Sequence, residues 1–434
     1  MARVTRDERR TRRHARAVTF TRRGRFFLGA IVALLVIAYT AGNHEFQLAA
    51  ALLGVLLIAA IVFIRVKRLR VSAVRTFSPA IVAAGGTTNV GIEVRNLSLQ
   101  RTAIADWRDR LPWAPWESDG GTMPSLAPAG IRFAQRGNTT TLRYTIKAPR
   151  RGIFEVGPML VSMGDPFGLV IGETALAGSQ RLVVTPELVA LHDAGLGFAA
   201  GEGTARLVQR SVSGNDDDLM TREYRRGDAL RRVHWRASAR HGELMVRQEE
   251  QRARPEVRLL VDTRKTGYSD VDDSRWRATD TEPESETFEW VVRMVASLGV
   301  HLHRAGYFVH VVETAPAQIA SFGEANQWTA QDEAFLTSLA SIRLADVHSR
   351  DRVGPNEQSP TGALFAVIAE PDHAALEWLL RQRRPSERAI AFVPASSSAA
   401  HEALVSAGWQ CVVFRPGDDL AMVWSAVGML GAHR

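Results

Sequence analysis

The sequence predicts a multidomain chain anchored in a membrane: an N-terminal transmembrane helical hairpin, an antiparallel β-sandwich of immunoglobulin-like type, and an α/β doubly wound domain. Three observations lead to it. Two apolar segments, Phe26 to Ala41 and Phe46 to Val66, flank the polar turn Gly42-Asn43-His44-Glu45. Short β-type runs broken by Gly, Pro and Asn fill residues 71–191. Apolar strand runs then alternate with amphipathic helical runs through residues 255–434. With 434 residues, 46% of them hydrophobic, the chain can bury several cores and is not of the disordered class.

The two apolar segments within residues 26–66 each approach the roughly 20 residues that span a bilayer. Residues 1–25 form an arginine-rich tail, and Arg65-Val-Lys-Arg-Leu-Arg70 follows the second segment. Basic residues on both flanks favour the cytoplasmic side, so the expectation is a multi-pass protein of the inner (cytoplasmic) membrane with its soluble domains in the cytoplasm. A competing reading makes the first segment a cleaved signal peptide, which also leaves the carboxyl-terminal part inside. The net charge of +8 owes much to this tail. Such a tail could attract nucleic acid or anionic lipid, but membrane topology accounts for it, and no nucleic-acid partner is expected. Cys411 is the single cysteine, so neither an internal disulfide nor a thiolate metal cage can form, and its apolar setting reads as a buried structural thiol.

In the β region the runs Thr88 to Arg95, Thr139 to Ile146, Gly152 to Val156 and Arg181 to Val184 alternate as half-buried strands do. Gly164-Asp-Pro-Phe-Gly-Leu169 specifies a turn, with Phe167 and Leu169 expected to anchor it into a core. Trp107, Trp113 and Trp116 cluster near prolines. They suit either an exposed recognition loop, as a carbohydrate binder would use, or a loop pinned by aromatic packing, which a cytosolic domain favours.

After Pro255 the expected strands are Val257 to Asp262, Tyr307 to Glu313, Leu364 to Glu370, Ala389 to Val393 and Cys411 to Phe414. Helices are expected over Phe288 to Arg304, Glu333 to Leu339, His373 to Arg381, Ala399 to Ala407 and Leu420 to Leu430. Polar residues 266–286 and 347–360 read as long loops.

Between these regions, within residues 205–254, lies a stretch with neither helical nor strand periodicity. It contains Arg222, Tyr224, Arg226, Gly227, Asp228, Arg232, His234, Trp235, Ser238, Ala239, Arg240, Glu249 and Glu250. An arginine, a tyrosine, Gly-Asp, His-Trp, Ser-Ala-Arg and a trailing acidic pair in this order resemble the signature of the bacterial family known as domain of unknown function 58. The resemblance implies a membrane-anchored protein whose α/β region is like a von Willebrand factor type A domain. It also implies association with a MoxR-type AAA+ ATPase. A type A domain carries a metal site that begins Asp-x-Ser-x-Ser; here the run is Asp262-Thr-Arg-Lys-Thr266. Asp262 and Thr266 persist as a degenerate pair, with Glu370 or Asp372 as later ligands, but the Arg264 guanidinium opposes a divalent cation. No Mg²⁺ or other cofactor is therefore expected.

Three readings of the signature stand. It can be a structural clip, with Trp235 and Tyr224 buried and its arginines paired to Glu223, Asp228, Glu249 and Glu250. It can be a hydrolase site using Asp228, His234, Ser238 and His241, or a phosphate or nucleic-acid site using its arginines. No nucleophile elbow, zinc motif or phosphate loop supports catalysis, so no catalytic residue is assigned. It can be a protein-interaction surface, since arginine and aromatic residues dominate interface hot spots. The favoured expectation is an adaptor or scaffold, not an enzyme.

Overall fold

The computed structural model describes residues 17–67, 69–113, 120–129, 137–193, 221–224, 233, 235–247, 255–271, 285–322, 328–346, 362–384 and 387–431. The chain divides into two compact units, residues 1–185 and 186–434.

In the first unit, α1 (Arg22–Ala41) and α2 (His44–Val66) form the apolar hairpin, and both are long and apolar enough to cross a membrane. Thr21 caps α1, its hydroxyl accepting from Gly24 N–H at 3.0 Å, and Gly42 ends it at φ 64°, a conformation that glycine takes without strain. Ala38, Ala50 and Ala60 are buried, as small residues are where apolar helices approach closely.

The β region of this unit comprises β1 (Ala17–Phe20), β2 (Val71–Ser78), β3 (Ile81–Ala83), β4 (Thr87–Asn96), β5 (Ala105–Asp109), β6 (Gly120–Met123), β7 (Thr139–Lys147), β8 (Gly152–Val156), β9 (Met159–Gly164), β10 (Val170–Leu176) and β11 (Gln180–Thr185). They form three sheets, ordered β1-β10-β9-β5-β6, β2-β4-β7 and β3-β11-β8. Alternation explains the shared core: in β4, Val90, Ile92 and Val94 turn inward while Asn89, Glu93 and Arg95 face out. Trp107 and Met123 from the first sheet and Leu182 and Val184 from the third complete that core. At its edge Arg75 and Asp109, both buried, pair at 2.6 Å, and the Tyr144 hydroxyl donates to Asp109 at 2.5 Å. Burial, and then the Asp109 charge, push the Tyr144 hydroxyl well above its ordinary range, so it stays a donor.

Several details differ from the sequence expectations. The basic tail ends in structure: Ala17–Phe20 is an edge strand, with Ala17 opposite Glu173 and Phe20 opposite Val170. In the Gly164–Leu169 turn only Leu169 anchors, at 1% exposure, whereas Phe167 is 49% exposed. The turn is held instead by the buried Asp165 carboxylate, which accepts from the N–H groups of Phe167, Leu169 and Val170. Trp107 packs on Tyr144 with ring centroids 5.7 Å apart, and Trp113 meets the Phe154 ring edge-on at 4.9 Å. These two tryptophans are therefore pinned by packing, and Trp116 lies outside the described residues.

In the second unit, Leu191 sits in the α/β core and Trp424 Nε1 donates to His192 O at 2.7 Å, so the segment from Pro186 packs with this unit. β12 (Thr221–Glu223), α3 (Trp235–His241) and β13 (Met245–Arg247) belong to the signature. Beyond them come β14 (Glu256–Val261), α4 (Glu286–Arg304), β15 (Phe308–Glu313), α5 (Trp328–Ser341), β16 (Ala363–Val367), α6 (His373–Gln382), β17 (Ala389–Pro394), α7 (Ser398–Ser406), β18 (Gln410–Phe414) and α8 (Leu420–Gly431). The sheet order is β15-β14-β16-β17-β18, and every neighbouring pair is parallel. Its strands read as near-continuous apolar runs because both faces are covered. Val257, Leu259 and Val261 face a core with Val295 and Leu298 of α4 and Trp424 of α8; Leu260 faces the other, with Leu379 of α6 and Leu404 of α7. The Cys411 thiol is half-buried, and burial pushes it up to about 11, which keeps it protonated and unreactive at neutral pH.

Candidate functional sites

Strand order switches sense between the parallel strands β14 and β16, the first and third of this sheet in sequence, and the crevice at their carboxyl ends is where open α/β sheets place ligands. Asp262, at 1% exposure, stands there just past β14. Its carboxylate accepts from the Thr314 hydroxyl at 2.5 Å and from Arg264 Nε at 3.2 Å, and its carbonyl accepts from the Tyr268 hydroxyl at 2.6 Å. Arg264, itself buried, reaches on to Asp372, the residue that caps α6, at 3.1 Å. Burial works against the guanidinium charge, but Asp262 and Asp372 outweigh it and hold Arg264 above its ordinary range. Gly267 lets the chain pass close to this carboxylate, because a Cβ there would come within 2.5 Å of Asp262 Oδ2 and force it to shift.

These residues do not fit a type A metal site. The guanidinium takes the place among the carboxylates that a divalent cation would need, and Thr266 is exposed rather than turned to Asp262. Glu370 is tied in through its backbone, its N–H donating to Gly267 O at 2.8 Å. Thr314 was not legible as a partner of Asp262; it follows β15, and only the parallel pairing of β14 with β15 brings the two strand ends together.

The signature is organised around a short ribbon. β12 and β13 pair antiparallel, with Arg222 opposite Val246 and Glu223 opposite Met245, and Tyr224 N–H extends the ladder to Leu244 O at 2.8 Å. Val233 bridges Val246, and both are buried. Helix α3 is fastened to this ribbon by Ser238, whose hydroxyl accepts from Met245 N–H at 2.8 Å. Gly242 makes the turn between them at φ 77°. Tyr224 is half-buried.

What α3 shows to solvent is the informative part. Trp235 is 68% exposed, contrary to the structural-clip expectation that it is buried. Arg236, Ala239, Arg240 and His241 are exposed with it. Helical spacing sets Trp235 beside Ala239 and Arg236 beside Arg240, so the aromatic ring and the two guanidinium groups occupy neighbouring strips of one exposed helix. The physical reason is that the 7-residue segment Trp-Arg-Ala-Ser-Ala-Arg-His has no apolar stripe to bury. That missing stripe was the sequence signal for an exposed tryptophan. Arg226, Gly227, Asp228, Arg232, His234, Glu249 and Glu250 lie outside the described residues, as does the side chain of Arg222. Of the hydrolase grouping Asp228, His234, Ser238 and His241, the described members are Ser238, which serves the backbone, and His241, which is exposed at the end of α3.

Residues 220–275, which span the ribbon, α3 and the start of the sheet through Asp262 and Arg264, match the family model described as protein of unknown function DUF58. Over this stretch the chain is similar to DUF58. A search of curated proteins gave no match. Among solved structures, the CARDB domain of the PF1109 protein from Pyrococcus furiosus is similar at 12% identity, over 27% of this chain and 94% of that one, with a TM-score of 0.19. The alkylpurine DNA glycosylase AlkC of Pseudomonas fluorescens is similar at 14% identity, over 27% and 31% of the two chains, with a TM-score of 0.18. Spo0M, a sporulation control protein of Bacillus subtilis, is similar at 11% identity, over 36% and 58%, with a TM-score of 0.16. Scores this low carry no argument about fold or function.

Proposed function

We propose that this DUF58 protein is a membrane-anchored adaptor or scaffold whose soluble parts face the cytoplasm and whose α3 surface binds a MoxR-type AAA+ ATPase during assembly or maturation of another protein complex. The observation that carries the reading is the exposed Trp235 on the same short helix as the exposed Arg236 and Arg240. Tryptophan and arginine are the residues most enriched at interface hot spots, and a large ring left in water on a rigidly tied helix gains most when a partner covers it. In this reading the β region is an immunoglobulin-like sandwich, in keeping with its largely antiparallel sheets and the core that they share. The α/β region is a type A-like module, in keeping with Asp262 at the carboxyl edge of a parallel sheet, but one that carries an arginine where that fold holds a metal.

The basic flanks of α1 and α2 support the cytoplasmic placement. Alkaline phosphatase fused after Arg434 should be inactive, and strong phosphatase activity there would overturn it. Recovery of the chain from native membranes, with and without ATP, should bring down a MoxR-type ATPase. Repeated recovery without any AAA+ protein would remove the adaptor reading.

A further inference from the structure

The Gly164–Leu169 turn lies against the hairpin at one end. Thr21, the cap of α1, donates its hydroxyl to Gly168 O at 2.7 Å, and its N–H donates to Leu169 O at 3.0 Å. Gly24 permits this contact, because a Cβ there would come within 2.1 Å of Leu169 O. Leu169 and Val170 pack with Leu57 and Ala60 of α2 and with Phe27 and Ile31 of α1, and a Cβ on Gly172 would meet Ile64 at 2.3 Å. At roughly 1.5 Å per residue, Leu57 stands about 13 Å back from the end of α2. The turn is thus level with the first turns of α1 and the last turns of α2.

Around this junction large apolar side chains are left in the open: Phe20 is 39% exposed, Phe26 79%, Phe167 49% and Ile171 38%. Arg22, Arg23 and Arg25 are exposed beside them in the first turn of α1, which holds no acidic residue. Cations at a helix amino terminus work against the macrodipole, so these arginines do not serve the helix. They suit phosphate oxygens, which guanidinium groups bind through paired hydrogen bonds. Apolar rings beside arginines are the composition that seats a surface at the headgroup and acyl boundary.

Building on the reading that α1 and α2 span a bilayer, we propose that the β region is itself docked on the phospholipid surface. Phe167, Phe20 and Ile171 sit at the headgroup boundary, and Arg22, Arg23 and Arg25 lie on the lipid phosphates. The Asp165 turn is then a membrane-contacting wedge, which is why its phenylalanine points outward.

The test is spin-label depth measurement on the whole chain reconstituted in phosphatidylglycerol and phosphatidylcholine nanodiscs, in a Cys411→Ser background. Labels are placed through Phe167→Cys or, as a second variant, Pro166→Cys; through Leu52→Cys within α2; and through Ser179→Cys on the turn between β10 and β11. The expected result is a ratio of oxygen to nickel-chelate collisions several-fold higher at position 167 than at 179, and highest at 52. A ratio at 166 and 167 equal to that at 179, with 52 deep, overturns the docking while leaving the spanning helices intact. An aqueous label at 52 overturns both.

Discussion

The crevice beside β14 and the surface of α3 are built from overlapping residue types and treat them in opposite ways. In the crevice Arg264 is buried, hydrogen-bonded at both ends of its guanidinium, and locked between Asp262 and Asp372. On α3, Arg236 and Arg240 are exposed on the same helix as an open tryptophan. A polar group that is already satisfied inside the protein has little left to offer a ligand, because binding would first have to break what holds it. The crevice is where an open α/β fold expects chemistry, yet here its charges hold the sheet edge together. The exposed helix keeps its ring and guanidinium groups in water.

The largest effect that sharpens this contrast belongs to Arg264. Arg264→Ala should lower the unfolding free energy by about 3 to 5 kcal/mol, since it leaves the buried Asp262 carboxylate without its cation. Urea denaturation of the whole chain in detergent measures it, and a loss below about 1 kcal/mol would mean that the crevice is open and hydrated. Ser238→Ala should cost about 1 kcal/mol by stranding Met245 N–H, loosening α3 from its ribbon without touching its exposed face.

Glu313, at the end of β15, sharpens the comparison through pH. Burial raises its carboxyl above the ordinary range, against the Ile319 and Gln318 N–H groups that it accepts from. The folded chain therefore binds this proton more tightly than the unfolded chain does. Stability from this group is greatest below the ordinary carboxylate value and falls as pH rises through the interval up to the raised one. Glu313→Gln keeps the accepting oxygen, so it should flatten that interval and raise the melting temperature at neutral pH. A lower melting temperature there would show that the charged form is favoured. The smallest stability effect belongs to Trp235→Ala, expected within about 0.5 kcal/mol because the ring is exposed.

Much of the fold was legible because periodicity reports burial directly. The alternation in Thr87–Asn96 and the apolar run in Ala363–Val367 could each be placed on their strands without coordinates. What escaped depended on partners distant in sequence. Ala17-Val-Thr-Phe20 is too short to declare itself a strand until β10 pairs with it. Phe167 reads as a core anchor beside Leu169, but the buried Asp165 carboxylate holds the turn from within and Leu169 alone enters the core. At the candidate sites, the conflict between Arg264 and a metal could be read from the Asp262–Thr266 run alone. The reach of Arg264 to Asp372, and of Thr314 to Asp262, required the parallel sheet that gathers those strand ends. Burial of Trp235, which the structural-clip reading requires, is not what the structure shows, and the segment around it offers no apolar face.

The most direct test of the central claim is the affinity of the whole chain in nanodiscs for a MoxR-type ATPase, measured for the unaltered protein and for Trp235→Ala alongside their melting curves. The account predicts that Trp235→Ala weakens binding at least tenfold, a loss of about 1.4 kcal/mol or more, with melting unchanged. Undiminished binding by the folded variant, or loss of binding only together with a collapse in melting temperature, would contradict it.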